Sequence, residues 1–149
     1  MKVSLYVDQS TRAFRKMRRG IGYVLECTIN DVPFTITGFS AVDATEHAAE
    51  LTAITAALDR MTRPAEITIH SVDPYIRATY SMISKLAEEG FTKANGAPMN
   101  NRDLWAKIYE HSKTQTIDVI TGTHEYSEWI RSEISRRRLG GKENNEIQK

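Results

Sequence analysis

This chain is poor in cysteine, with one, and in proline, with four, and it contains no long apolar run. A lone thiol, Cys27, permits no internal disulfide, which removes the class of small cross-linked secreted scaffolds and suits a reducing compartment such as the cytoplasm. Inside its strand-like surroundings Cys27 reads as a small core hydrophobe. No stretch approaches the length that crosses a bilayer, so no membrane role is expected. The opening MKVSLYVD lacks the apolar segment of a secretory signal and reads as a first strand. An excess of one charge is missing too: 20 basic and 19 acidic side chains leave a net charge of +1, so the average names no partner. There is no internal repeat, and 149 residues predict one domain with a single core.

What the chain does have is charge in particular places. Arg12, Arg15, Lys16, Arg18 and Arg19 crowd together with no acid among them, and a second basic block spans Arg136 to Arg138. Such blocks form solvated surface or hold a polyanionic backbone by replacing its counterions. Four carboxylates stand at punctuation points. Asp8 ends the run Val3, Leu5, Val7; Glu50 lies on an apolar helix; Asp73 follows a second strand-like run; Glu133 sits on the last helical stretch. Acids that converge from strand ends and helix faces cannot all stay ionised without cations, so such a cluster binds divalent metal. Two such ions about 4 Å apart can clamp both oxygens of a phosphodiester under attack. The pattern points to a metal-dependent nuclease.

Alternation predicts strands over Lys2 to Asp8, Ile21 to Ile29 and Val32 to Ser40, the last two joined by a tight Asn30-Asp31 turn. Leu51, Ile54, Leu58 and Met61 recur at helical spacing, with Asp43 and Glu46, or Thr45 alone, to cap the start and Arg63-Pro64 to end it. Ala65 to Ser71 reads as a buried strand. Asp73-Pro74 then starts a helix running to Gly90. A loop covers 91–100, and Asn100 or Asn101 opens a helix with Leu104, Trp105, Ile108 and Tyr109 inward. Gln115 to Thr121 is a strand, and Glu125 to Arg138 a helix. Residues 139–149 are almost without apolar content and are expected to be a disordered tail behind a domain over 1–138. Trp105 and Trp129 read as core; Phe14, inside the basic stretch, either stacks on a base or packs beneath the hairpin. Three antiparallel strands followed by alternating helices and strands predict an α/β fold with a mixed five-stranded sheet covered by helices.

Five short motifs in this order resemble type 1 ribonuclease H over Lys2 to Arg138. YVDQS (6–10) resembles the family's first strand, which ends in Asp-Gly-Ser. GIGYVLE (20–26) resembles its second strand, and AAELTAITAAL (48–58) its Met-Glu-Leu helix. GFTKANGAPMNNRDLW (90–105) is similar to the handle loop leading to Asn-x-Asp-Leu-Trp. ITGTHEYSEWIRSEI (120–134) resembles the loop and helix that carry the family's His and fourth acid.

The resemblance implies a ribonuclease H-like fold and endonucleolytic cleavage of the RNA strand of RNA–DNA hybrids with two Mg²⁺ ions, or Mn²⁺. It implies Asp8 bridging both ions, Glu50 and Asp73 on the leaving-group side, and Glu133 completing the water-activating site. His124 would shuttle a proton or assist product release. Ser10, Arg12, Arg15, Lys16, Arg18, Arg19, His47 and Asn101 would contact the nucleic acid. A monomer is expected, and no protein partner is indicated.

Several positions differ from the family pattern. Counted back from Tyr75 without a gap, Val72 stands where the third acid belongs. The fourth acid is Glu133 instead of Asp, and Thr123 separates Gly122 from His124. Gln9 replaces a small Gly, Pro74 replaces a Gln, and Glu46 and His47 occupy the places of two minor-groove Asn residues. These differences keep two other readings open: a catalytically reduced module of this fold that binds nucleic acid or protein, and a superfamily nuclease with another substrate. An exonuclease of the paired-acid type is disfavoured, because the first strand carries one acid and not Asp-x-Glu.

Overall fold

The computed structural model describes residues 1–140; of the tail expected over 139–149, residues 141–149 lie outside the described residues. Five strands and five helices follow in the order β1 (Lys2–Gln9), β2 (Met17–Ile29), β3 (Val32–Ala44), α1 (Glu46–Leu58), β4 (Glu66–Ser71), α2 (Pro74–Tyr80), α3 (Ile83–Glu88), α4 (Arg102–Ser112), β5 (Thr116–Thr121) and α5 (Ser127–Arg136). The strands form one sheet in the order β3-β2-β1-β4-β5. β1 pairs antiparallel with β2 and parallel with β4, and β4 pairs parallel with β5, as the element order predicts. Asn30 and Asp31 both hold left-handed backbone (φ 51° and 65°), the geometry of a two-residue hairpin turn.

The central strand β1 has two covered faces. On one, Val3, Leu5 and Val7 meet Leu51, Ile54 and Leu58 of α1, all three of which are fully buried, and Trp105 of α4 joins the same core. On the other, Tyr6 and Val24 pack against Ile130 and Ile134 of α5. That helix lies very close to the sheet. A Cβ at Gly20 would come within 2.3 Å of Ile134, and one at Gly22 within 2.9 Å of Ile130, so only hydrogen fits beneath it. Leu139, expected to begin the tail, packs against this second cluster, because the helix end turns back onto the sheet.

Other boundaries differ from expectation for physical reasons. β2 begins at Met17, four residues earlier, since Arg18 and Arg19 pair with Asp43 and Val42 of β3. The predicted helix after Asp73 breaks at Ser81–Met82 into α2 and α3. Thr45 supplies the α1 cap, while Asp43 stays in β3. Trp105 is core, but Trp129 is exposed and leans edge-on against Phe39. Cys27 is half-buried at the rim of the core. No described helix is long and apolar enough to cross a membrane.

Candidate active site

The carboxyl ends of β1 and β4 lie side by side under the first turns of α1, and the acids gather there. Glu46, His47 and Glu50 recur at helical spacing, so all three share the α1 face that looks at those strand ends. Glu50 is fully buried. One carboxylate oxygen accepts from Gln9 Nε2 at 2.9 Å and the other from Ser71 Oγ at 2.5 Å. Burial pushes its pKa up to about 7, and the nearby charge of Asp8 adds to the rise; the Ser71 and Gln9 hydrogen bonds pull the other way. Asp8, 1% exposed, accepts from its neighbour's backbone N–H (Gln9, 2.7 Å) and from Arg12 Nη2 (2.5 Å), both at Oδ1. Its Oδ2 is buried and accepts no hydrogen bond. An orphaned carboxylate oxygen beside a second, desolvated carboxylate is a donor set that fits a hard divalent cation.

Asp73 joins a different group. Tyr6 stands level with His70 in the parallel β1–β4 register; carried two residues further, that register sets Val72 beside Asp8. Side chains alternate across a strand, so an acid one position later faces the opposite side of the sheet. Ser71 faces α1, His70 faces Tyr6 and the α5 side, and Asp73 returns to α1. There its Oδ1 accepts from the Tyr75 N–H at 3.0 Å, capping α2, and its Oδ2 lies 2.5 Å from His47 Nδ1. The His47 ring is stacked on Tyr75 at 4.1 Å and meets Phe14 edge-on at 6.0 Å. Phe14 is 73% exposed, so it does not pack under the hairpin.

Glu133 and His124, the site residues expected from the last helix and the loop before it, have partners of their own in the structure. Glu133 is chelated by Arg136 at 2.9 and 2.8 Å and touched by Arg137 at 3.4 Å, within its own helix. The Arg136 hydrogen bonds lead in drawing its pKa down to about 2. His124 is held at both nitrogens: Nε2 donates to the Val7 carbonyl at 2.8 Å and Nδ1 accepts from the Tyr126 N–H at 3.2 Å. Both ring nitrogens are thus engaged with backbone groups.

The expected nucleic-acid contacts divide in the same manner. Arg15, Lys16 and Arg18 are exposed, and Arg12 is turned inward onto Asp8. Arg19 is 0% exposed: its guanidinium donates to Gln9 Oε1 and to the carbonyls of Thr11, Ala13 and Arg15, so it shapes the loop and cannot reach a phosphate. Ser10 closes the β1–β2 ladder, its Oγ accepting from the Gly20 N–H at 3.0 Å. Asn101, in left-handed backbone, immediately precedes α4 and makes no cap bond to it. Gln9, Ser71 and Glu46 are the site residues that sequence reasoning undervalued. Alternation along Arg19, Ile21, Tyr23 and Leu25, which sets Arg19 on the inward face, was the signal for the buried relay.

A mixed sheet with acids gathered where parallel strand ends meet a covering helix defines a ribonuclease H-like protein. The RNase H family model matches residues 1–123, and the chain belongs to that family. A ribonuclease HI of Xylella fastidiosa (strain Temecula1) is 31% identical over 78 residues, 52% of each chain. The chain spans about half the length of the curated relatives it matches first. Among solved structures, LC9-RNase H1, a type 1 RNase H with the type 2 active-site motif, superposes with a TM-score of 0.68 at 17% identity, over 89% of this chain and 69% of that one. The foamy viral protease–reverse transcriptase in complex with RNA/DNA hybrid superposes with a TM-score of 0.61 at 15% identity, over 96% of this chain and 20% of that one.

Proposed function

We propose that this chain is a divalent-metal-dependent endonuclease that hydrolyses the RNA strand of RNA–DNA hybrids. The observation that carries the reading is the Asp8–Glu50 pair, Asp8 at the end of β1 and Glu50 on α1, both buried and one oxygen of Asp8 unsatisfied. Family membership supports it, as does the likeness to a structure solved on RNA/DNA hybrid. When bound, divalent ions supply neutralisation of the attacked phosphodiester and a more acidic water. Asp8 and Glu50 are the residues that would hold them, with Mg²⁺ or Mn²⁺ as the metal and two ions the number expected of the family. Asp73, the third acid that the family resemblance implies, lies on the α1 side against His47. Gln9 and Ser71 orient Glu50, and Arg12 holds Asp8 until a cation takes over its charge. Exposed Arg15, Lys16 and Arg18 flank the crevice and suit a phosphate backbone.

One observation favours a second reading, a binding module with reduced catalysis: the β1–β4 register, carried two residues past its last pair, sets Val72 beside Asp8, where a third acid would complete the cluster. End-labelled RNA–DNA hybrid, RNA duplex, DNA duplex and single strands, each incubated with Mg²⁺, Mn²⁺ or chelator, separate the two. Metal-dependent cutting confined to the RNA of the hybrid supports the nuclease. Binding without cutting in either metal supports the module, and cutting of another substrate moves the chain to a different specificity.

A further inference from the structure

The first turn of α1 holds a buried acid that the Asp8–Glu50 pair does not use. Glu46 is 8% exposed, yet its carboxylate accepts no hydrogen bond and forms no ion pair among the described residues. One of its oxygens, one nitrogen of His47 and one oxygen of Asp73 all lie within 4.8 Å of one another. Among the described residues this is the one group of three His, Cys, Asp or Glu side chains so close. A helix start favours a negative charge, which accounts for an acid in the first turn. It does not account for a second buried carboxylate brought against the first. Burial, and then the charge of Asp73, push the Glu46 pKa up. The charges of His47, Arg12 and Arg19 pull the other way, and Asp73 lies 2.5 Å from His47 Nδ1; a bound cation would compensate both acids at once.

We propose that Glu46, His47 and Asp73 form a cation site distinct from the Asp8–Glu50 pair, taking a divalent first-row transition ion such as Mn²⁺ in preference to Mg²⁺. The donor set decides the metal. One imidazole nitrogen with two carboxylate oxygens suits first-row transition ions, whereas Mg²⁺ takes oxygen ligands. The geometry is nearly closed already. Three ligand atoms on one ion at roughly 2.1 Å lie at most about 3.6 Å from one another, so a triad already within 4.8 Å must close by no more than about an ångström. The His47–Asp73 contact of 2.5 Å would open to admit the ion. Tyr75 and Phe14 fix the plane of the His47 ring, which aims Nδ1 without help from the ligand. Asp73 keeps Oδ1 on the Tyr75 N–H and has Oδ2 to give.

The test is a titration of the metal-stripped full chain with Mn²⁺, read by electron spin-echo modulation from directly bound ¹⁴N and by equilibrium binding. His47→Phe keeps an aromatic ring against Tyr75 while removing the nitrogen, and Glu46→Gln probes the same site without touching the ring. Wild type and Asp8→Asn should both show the nitrogen signal, and His47→Phe should lose it. Mn²⁺ affinity should fall by about tenfold or more in His47→Phe and in Glu46→Gln. A tenfold excess of Mg²⁺ over Mn²⁺ should leave the signal in place. The proposal is overturned by a wild-type Mn²⁺ complex with no nitrogen coupling, by a signal that survives His47→Phe, or by one that disappears in Asp8→Asn. None of these readouts depends on cleavage, so failure of the nuclease reading and failure of this one remain distinguishable.

Discussion

Glu50 and Glu133 are both helical glutamates, yet the two faces of the sheet treat them in opposite ways. Glu50, under α1, is sealed from water with only neutral donors, and its pKa rises to about 7. Glu133, on α5, is clasped by two arginines of its own helix, and its pKa falls to about 2. A carboxylate of the first kind lacks a counter-charge; one of the second kind already has it. Asp8 stands between them, with Arg12 on one oxygen and nothing on the other. Burial without a counter-charge, more than the mere presence of an acid, sets Glu50 apart from Glu133.

The largest effect that would break this contrast is at Asp8. Asp8→Asn should lower hybrid cleavage by about 10³-fold or more, the equivalent of several kcal/mol of charge stabilisation, with an unchanged circular dichroism spectrum; full activity would remove the metal mechanism. Glu50 gives the next effect, through stability. Its folded pKa of about 7 lies above the ordinary 4.5, so its contribution is fully present below pH 4.5 and is lost as pH rises through 7. Metal-free protein should therefore lose on the order of 3 kcal/mol from this group between pH 4.5 and 8. Thermal melting in chelator should show that loss in wild type, and Glu50→Gln should flatten it.

Smaller effects sharpen the contrast. Replacing Arg15, Lys16 and Arg18 together with Ala should weaken hybrid binding and reduce the slope of log affinity against log salt by up to about 2 to 3. An unchanged slope would make the loop ordinary solvated surface. Arg12→Ala should strengthen cation binding by about threefold, a modest gain because Arg12 is partly exposed and screened; calorimetric titration with Mg²⁺ checks it. Glu133→Gln should slow turnover by no more than about threefold. A loss equal to that of Asp8→Asn would show that Glu133 leaves its arginines to become a ligand.

Much of the architecture was written in periodicity. The hairpin at Asn30-Asp31, the α1 stripe and the Asp73-Pro74 cap each follow from local chemistry that tertiary contacts do not override. The site was legible only in part. Asp8 and Glu50 could be placed by spacing, but the direction of Asp73 depends on a one-residue offset, and period-two alternation turns that offset into a change of face. Arg19 was misjudged because a run of basic residues looks like surface, while its strand parity points inward. The partners of His124 and Glu133, the Val7 carbonyl and Arg136, become visible only once segments distant in sequence or adjacent on a helix are folded together.

The Arg19 guanidinium ties the carbonyls of residues 11–15 to Gln9, and Gln9 in turn donates to Glu50 and to the Glu46 carbonyl at the start of α1. The basic loop and the acidic pair are thereby joined by one chain of hydrogen bonds. Under the proposed nuclease reading, a polyanion that steadied the loop would also steady the carboxylates, and a cation held by the carboxylates would also steady the loop. Whichever arrived first would supply part of the ordering entropy for the other.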